Sequence, residues 1–512
     1  MKRSLATLAT VFALSTAALM NSAVAGKNDD TLRVAFAEEI LNLDYNYTTK
    51  REYIILSDLI DDTLFNVNPE TNEYEPAVAT GYTYVDDTTI DVTLRDGVKF
   101  HDGTVLDADD VVYTYNWIID EQSTAHAKGA IARWLDRAEK LDDHKVRFHL
   151  KAAYPLALRD MARRVRLRQD NAYVVDGAID QDATASKLVG LGPYRVAEFE
   201  PGQKVVLERF ADYYPESTKG PLAIKTIVIR NLPDLGTQQA ELMSGGIDWM
   251  YNVPLDVAQS LGATPLATHL AGPDLRVSFI VLDAHGYTDP DGPLTKLKVR
   301  QALNHAINRP EIASYLVGGS AEALYTACHP AQFGCTQDVA KYPYDPKRAK
   351  ALLAEAGYPD GFPLELWAYR EKPVSEAVAA DLKAIGVEVD LRYVKLESLN
   401  QARAKREIPA YIGTWGSGGT ADTAAIARIH FDPETDRNMS GDAEVAKLVL
   451  DAEQTMDEAK RAEFYKQALT IIADQAYWVP MFTYSQNYLV NPGLNFPLEP
   501  DGLPRLYEAS WK

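Results

Sequence analysis

The stretch EPAVATGYTYVDDTTIDVTLRDGVKFHDGTVLDADDVVYTYNWI, residues 75–118, decides the fold class. Apolar and polar residues alternate in its middle, residues 89–100, and Asp96-Gly97 supplies a turn, which predicts a β-hairpin. Directly afterwards, Asp107 can cap a helix whose apolar residues recur at helical spacing. Strand and helix follow each other within one short segment, which predicts a mixed α/β protein.

A β-α-β order appears in the second half of the chain. Residues 363–368 and 387–393 are predicted as strands, with a helix between them over residues 374–385. This order implies a right-handed crossover and a partly parallel sheet, in which ligands bind beyond the strand ends. Tyr369 and Arg370 lie at one such end, which makes them candidate ligand contacts.

A glycine-rich segment follows another predicted strand, residues 407–414. Its sequence, GTWGSGGTAD, covers residues 413–422 and surrounds Trp415 with residues that have little side chain. Glycines let a ligand approach the backbone closely, and a tryptophan offers a broad apolar face at low entropic cost. We therefore predict that Trp415 is a ligand platform; the alternative is a tryptophan that fills a corner between domains.

Length and composition bound the class of protein. The chain has 512 residues, of which 46% are hydrophobic and 24% charged, so two or three lobes are expected. Residues 1–25 place Lys2-Arg3 before an apolar run and end in A-V-A, which predicts a cleaved secretory signal peptide rather than a membrane anchor, because the run is interrupted and short. Cleavage would remove both positive charges and take the formal charge from −21 to −23. Such acidity excludes nucleic-acid binding and disfavours anionic membranes.

Two local clusters remain open to more than one interpretation. Cys328 and Cys335 are predicted to form a disulfide that closes one loop of an exported protein; the alternative is a metal site with His329 that lacks further ligands. Residues 159–168, RDMARRVRLR, contain five arginines. We interpret this arginine cluster as a solvated helix face, with an anion site as the alternative.

Motifs for catalysis are missing from the sequence. It contains no G-x-S-x-G nucleophile elbow, no phosphate-binding G-x-x-x-x-G-K-[ST] and no H-E-x-x-H zinc pair. Neither an enzymatic activity nor a cofactor or bound metal is therefore expected.

Residues 75–118 resemble the signature of the family 5 extracytoplasmic solute-binding proteins of ABC transporters, the peptide and nickel class. The shared pattern is a Pro-x-x-Ala start, L-R-x-G-V-x-F-H-D-G, and a helix that begins A-x-D-V. Further landmarks of the family follow in order: GLGPYRV (190–196), LMSGGID (242–248), VRQALNHAINR (299–309), YDPKRAKALLAEAGYPDG (344–361) and LKAIGVEV (382–389).

The resemblance implies a two-lobed periplasmic clamshell, type II and cluster C, with an extra inserted subdomain. Mapped onto this chain, lobe I takes residues 27–60, 190–285 and 483–512, the inserted subdomain residues 61–189, and lobe II residues 286–482. The protein is then expected to be a periplasmic monomer that encloses a small-molecule or peptide ligand. Closure of the lobes would present a surface to the permease subunits of an ABC importer.

The resemblance leaves the ligand open at one position. In peptide-binding relatives an aspartate three residues after the tryptophan pairs with the peptide's α-amino group, and Gly418 stands there in this chain. A buried ammonium without a carboxylate partner is costly, so the usual peptide mode requires Asp422 to turn inward. An oligopeptide or dipeptide is the expected ligand; an oligosaccharide, an opine-like conjugate or a metal chelate is the alternative, and a secreted glycoside hydrolase a remote one. The candidate ligand contacts are Tyr45, Tyr47, Tyr369, Arg370, Trp415, Ser417, Gly418 and Asp422.

Overall fold

The computed structural model describes residues 26–48 and 50–512, so the predicted signal peptide lies outside the described residues. The strands are β1 (Thr31–Phe36), β2 (Phe65–Val67), β3 (Tyr74–Pro76), β4 (Ala79–Asp86), β5 (Thr89–Leu94), β6 (Leu135–Asp142), β7 (Lys145–Leu150), β8 (Val174–Val175), β9 (Ala178–Ile179), β10 (Tyr194–Glu200), β11 (Lys204–Arg209), β12 (Thr226–Asn231), β13 (Trp249–Tyr251), β14 (Thr268–Leu282), β15 (Pro363–Ala368), β16 (Glu388–Tyr393), β17 (Ala410–Trp415), β18 (Trp478–Val490), β19 (Leu494–Asn495) and β20 (Ser510–Trp511). The helices are α1 (Arg51–Ile60), α2 (Ala108–Ile119), α3 (Lys128–Trp134), α4 (Ala157–Arg163), α5 (Leu235–Ser244), α6 (Leu255–Gly262), α7 (Leu297–Ala306), α8 (Arg309–Glu311), α9 (Pro346–Glu355), α10 (Lys372–Ala384), α11 (Leu396–Ala404), α12 (Ala424–Phe431), α13 (Ala443–Glu453) and α14 (Glu458–Asp474).

A ten-stranded mixed sheet runs through the molecule in the order β10-β11-β12-β1-β13-β18-β14-β17-β15-β16. The antiparallel strands β14 and β18 are the longest of these, and their pairing is interrupted between Asp274 and Val277. We call the part with β1 and β10–β13 the first lobe and the part with β15–β17 the second lobe. The residue limits predicted for the lobes stay predictions.

A separate antiparallel sheet has the order β4-β5-β7-β6, and it falls within residues 61–189, which are predicted as the inserted subdomain; we call this part the inserted region. The turn at Asp96-Gly97 exists, with Gly97 at φ +73°, but the hairpin predicted over residues 89–100 is wrong. Strand β5 pairs instead with β4, across the short turn between Asp86 and Thr89, and with β7. The pairing with β7 includes an ion pair of 2.7 Å between Asp91 and Arg147. The hairpin thus lies on the N-terminal side of β5, and its other partner is distant in sequence.

The helices and strands that were predicted from local signals are confirmed. The Asp107 side chain accepts the backbone N–H of Asp109, and Asp110 returns the bond to the Asp107 N–H, so α2 begins with a reciprocal cap. Strands β15 and β16 are parallel across α10, as the β-α-β order predicted. Strand β17 ends one residue later than predicted, so that Trp415 is its last residue.

The inserted region packs against the second lobe. Ala424, Ala452 and Tyr465 of the second lobe belong to the same buried apolar cluster as the core of the inserted region. An ion pair of 2.8 Å between Arg133 and Glu453 crosses the same interface. The inserted region and the second lobe are thus in contact through both apolar and charged side chains.

Candidate ligand-binding site

The candidate site lies at the carboxyl ends of the neighbouring parallel strands β15 and β17. Tyr369 and Arg370 follow β15, and Trp415 ends β17, so the sheet brings these predicted contacts to one edge. Arg276 on the adjacent strand β14 donates from Nη1 to Thr414 Oγ1 at 3.1 Å. Strand ends thus supply both aromatic and cationic groups, in agreement with the position expected for a ligand.

Trp415 is held as a partly exposed platform. Its indole N–H donates to the Ala425 carbonyl at 2.5 Å, and the His430 ring meets it edge-on at 5.2 Å. The guanidinium of Arg437 lies 5.2 Å from the ring centroid. Burial, followed by the nearby Arg437 charge, lowers the pKa of His430 to about 3, so this histidine stays neutral. One face of the indole therefore carries a cation, which leaves less of it free for a neutral sugar ring.

Positive charge exceeds negative charge around this platform. Arg276 and Arg370 each lie within 6 Å of the Tyr484 ring, at 5.9 and 5.7 Å. Arg370 is paired with Glu371 at 2.8 Å, and no carboxylate among residues 26–48 and 50–512 forms an ion pair with Arg437. Burial lowers the pKa of Arg276 and of Arg437, because their charged forms are poorly solvated.

The carboxylates of this region are already engaged. Arg51 binds Asp274 on β14 with both terminal nitrogens, at 2.9 and 3.3 Å. Asp274 also lies 3.8 Å from Arg276. Asp436, which acts on Arg437, is paired with Arg403 at 3.1 Å. Among the described residues, the five guanidinium groups of Arg51, Arg276, Arg370, Arg403 and Arg437 are thus set against three carboxylates, those of Asp274, Glu371 and Asp436, which leaves a positive excess at the site.

The glycine loop, residues 416–420, is open on one side and closed on the other. Gly418 is exposed at φ +56°, and a Cβ there would meet no atom within 4 Å. A Cβ on Gly419 would come within 2.5 Å of Leu503 from the first lobe. Gly419 also has φ +72°, a backbone conformation that favours glycine, so a larger residue there would be strained as well as close to Leu503.

A loop closed by the disulfide between Cys328 and Cys335 braces the glycine loop. Gln332 Nε2 donates to Ser417 Oγ at 2.9 Å and to two carbonyls of the same loop, those of Thr420 and Asp422, at 3.2 Å. Ser417 is buried and its hydroxyl is occupied by this contact. The disulfide loop therefore fixes the backbone on which Trp415 and Gly418 stand.

Asp422 does not provide a free carboxylate. Its Oδ2 accepts from Arg461 at 2.9 Å and its Oδ1 accepts from the Ala424 N–H at 2.9 Å. The side chain is buried at the start of α12. The inward turn that an amine contact requires is thus not available without breaking this ion pair.

The two tyrosines of the N-terminal loop make contacts within the first lobe and the inserted region. Tyr47 accepts from the Trp117 indole N–H at 3.0 Å and packs edge-on against Tyr173. Tyr45 lies beneath the Arg166 guanidinium at 5.0 Å. No contact among the described residues joins either tyrosine to Trp415 or Arg370, so the structure does not bring all the predicted contacts together.

The arginine cluster of residues 159–168 is not a solvated helix face, and that interpretation is wrong. Helix α4 ends at Arg163, and Arg159, Arg166 and Arg168 are buried. Arg168 binds Asp44 and Asp61, both at 2.7 Å. Carboxylates distant in sequence hold Arg166 and Arg168 inward, which the local pattern could not reveal.

Several residues of the site escaped the sequence analysis. Arg51, Arg276, Gln332 and Arg437 come from four separate segments, and their spacing carries no periodic signal. In the part of the chain that the structure describes, no group of three or more His, Cys, Asp or Glu side chains is arranged to hold a metal ion. Within the same residues, no helix combines the length and apolar composition of a membrane span.

The chain is similar in sequence and in fold to bacterial solute-binding proteins. The model of the bacterial extracellular solute-binding proteins, family 5 Middle, matches residues 73–438. Heme-binding protein A of Haemophilus influenzae is 26% identical over 460 residues, which cover 84% of this chain and 82% of that protein. Oligopeptide-binding protein AppA of Bacillus subtilis is 28% identical over 433 residues, 78% of this chain and 76% of the relative. The crystal structure of NikA from Brucella suis in complex with Fe(III)-EDTA superposes with a TM-score of 0.83 at 20% identity, over 94% of this chain and 100% of that one.

Proposed function

This chain belongs to the bacterial extracellular solute-binding proteins of family 5, and from that premise we propose that it captures a short peptide or peptide-like conjugate by its carboxylate end. It is the substrate-binding component of an ABC importer and not an enzyme. Its two lobes enclose the solute, and closure presents it to the membrane permease. Relatives named for dipeptides and oligopeptides support a peptide as the solute.

The positive excess around Trp415 carries this proposal. Arg437 has no carboxylate partner among the described residues, and Arg276 shares Asp274 with Arg51. A solute carboxylate would satisfy these donors, and a guanidinium can hold both of its oxygens. The carboxyl terminus of the peptide therefore provides the recognised group.

The amino terminus of the solute has no matching partner. Gly418 supplies no side chain, and Asp422 is bound to Arg461. The carboxylates of Asp274, Glu371 and Asp436 around the platform are paired with arginines. We therefore expect a blocked amino group to be tolerated, which extends the range of solutes to acylated peptides and opine-like conjugates.

Peptides with modified ends test the proposal. Refolded, ligand-free protein is titrated by calorimetry with di- to pentapeptides as free acids, as N-acetyl derivatives and as C-terminal amides. Free acids and N-acetyl peptides should bind, whereas amidation should weaken binding about tenfold or more, which corresponds to about 1.4 kcal/mol. Arg437→Gln should remove the difference between acid and amide. The surface variant Arg348→Gln is the matched control, because Arg348 is half exposed on α9 and bridges only to Glu355.

Two results would contradict the proposal. Equal affinity for acids and amides would mean that the arginines do not recognise the carboxylate. Binding confined to oligosaccharides in a parallel panel would assign the platform to a sugar instead.

A further inference from the structure

Helix α4 of the inserted region carries two arginines one turn apart, and one of them is linked to the glycine loop. Arg159 and Arg163 are four residues apart, so their side chains share one face of the helix. Arg163 binds Asp501 at 3.0 Å, and the Oδ2 of that carboxylate lies 3.6 Å from the Cβ position of Gly419. This face of α4 therefore approaches the glycine loop from the side of the inserted region.

Arg159 is buried without an acceptor for its charge. Arg159 is only 5% exposed, and its Nε has no hydrogen-bond partner. Within residues 26–48 and 50–512, no group accepts from the Arg159 guanidinium. The carboxylates that act on it are engaged elsewhere, since Asp160 binds Arg164 at 2.6 Å and Asp422 binds Arg461.

Other unengaged donors lie near Arg159. The hydroxyl of Tyr465, on α14 of the second lobe, is also buried and donates to no acceptor; Arg461, which acts on it, can only donate. Tyr465 belongs to the same buried cluster as Ala157, Leu158 and Met161 of α4, and Tyr74 packs against that cluster. Asp422 acts on the ionisation of Arg159, Tyr465 and Tyr74 alike, in keeping with this packing. Burial raises the pKa of Tyr74 to about 12 and also raises that of Tyr465, so both hydroxyls keep their protons. Buried polar groups in native proteins are nearly always paired, so unpaired donors grouped together favour an external acceptor.

We propose that Arg159, with Tyr74 and Tyr465 beside it, forms an anion subsite for a second carboxylate of the solute. The subsite lies on the inserted-region side of the glycine loop, away from the positive excess around Trp415. Gly418 leaves open space above that loop. This inference rests on the proposed function, and it narrows the solute to peptides or conjugates that carry an acidic side chain as well as a terminal carboxylate.

Two measurements test the subsite. Calorimetry compares Ala-Glu with its neutral isostere Ala-Gln, and thermal unfolding of the ligand-free protein compares glutarate with butyrate. Both are carried out on the wild type, on Arg159→Gln and on Arg137→Gln. Arg137 is a matched control because it lies in the same inserted region, is 54% exposed and makes only surface ion pairs.

We expect the wild type to bind Ala-Glu at least tenfold more tightly than Ala-Gln, and we call this factor the affinity ratio. Arg159→Gln should abolish this ratio and the stabilisation by glutarate, whereas Arg137→Gln should keep both. Ligand-free Arg159→Gln should also unfold at a higher temperature than the wild type, because it loses an unpaired buried charge. If that variant does not fold, Arg159→Lys serves instead, since it keeps the charge but loses the forked hydrogen bonding and should reduce the ratio.

The outcomes separate this inference from the proposed function. An unchanged ratio in Arg159→Gln, or an equal loss for both peptides, would overturn the subsite, as would stabilisation by glutarate that does not depend on Arg159. If no peptide binds the wild type but glutarate still stabilises it through Arg159, the subsite stands and the peptide proposal fails.

Discussion

The ion pair between Asp422 and Arg461 allows a clear separation of stability from binding. Arg461 on α14 is buried, with 6% of its side chain exposed, and its guanidinium lies over the Phe333 ring at 4.8 Å. Asp422→Ala removes the carboxylate and leaves this guanidinium without its partner. We therefore predict that the substitution destabilises the protein.

The magnitude follows from the contacts that are lost. Removal of one partner from a buried ion pair costs about 3–5 kcal/mol. Loss of the hydrogen bond from the Ala424 N–H adds about 1 kcal/mol. Asp422→Asn keeps an acceptor for that N–H and should therefore be the milder change. Asp422→Ala combined with Arg461→Met should recover part of the loss, because no charge is stranded in the interface.

Urea unfolding of the ligand-free protein provides the assay. The midpoint should fall in Asp422→Ala, with an unchanged slope, and should partly return in the double variant. Glu376→Ala is a suitable control, since Glu376 forms an exposed pair with Lys372 at 3.7 Å. Such pairs contribute about 0–1 kcal/mol. The reasoning is refuted if Asp422→Ala unfolds like the control and yet abolishes solute binding, because Asp422 would then act on the ligand and not on Arg461.

Three further predictions concern the loop and the C-terminal segment. Gly418→Asp should lower the free energy of unfolding by about 1 kcal/mol because residue 418 has a positive φ. In calorimetry the same variant should bind peptides with a free amino group about tenfold more tightly than their acetylated forms, because the new carboxylate can accept from the ammonium. Gln332→Ala should weaken solute binding about tenfold in the same titration, since it frees the glycine loop at Ser417; an unchanged affinity would show that the loop needs no brace. Burial and the neighbouring Glu499 raise the pKa of Glu508 to about 7. Stability should therefore fall as the pH rises from about 4.5 to 7, and urea midpoints of Glu508→Gln should lose this dependence.

Those parts of the fold that depend on short-range signals were predictable. The cap of α2 and the parallel pair β15 and β16 need only neighbours in sequence, and both were confirmed. The pairing of β5 was not predictable from the Asp96-Gly97 turn, because β5 forms its hairpin with the preceding strand β4 and its second pair with β7, more than fifty residues away. A turn residue fixes local backbone geometry, but it does not choose between competing strand partners.

The residues of the candidate site also fall into those that the sequence could place and those that it could not. The sequence placed Tyr369, Arg370 and Trp415 together, because consecutive strand ends of a parallel sheet meet at one edge. It could not place Arg437, which reaches the indole from the loop after α12. Nor could it tell that the carboxylate of Asp422 is taken by an arginine from α14. Which polar group remains free for a ligand is decided by tertiary pairing, and that information is spread over the whole chain.

The charge distribution connects these findings to function. A chain with a formal charge of −21 repels anionic solutes at long range, so the anionic solute that we propose would have to be recognised at short range by buried donors. Guanidinium groups suit this purpose, because they stay charged when buried and bind both oxygens of a carboxylate. Arg159 and Tyr465 are buried, and this burial strengthens their attraction to an anion and weakens its screening by salt. On this proposal, buried arginines repel one another in the ligand-free protein. Closure of the lobes then becomes favourable when a solute supplies the carboxylates that pair with them.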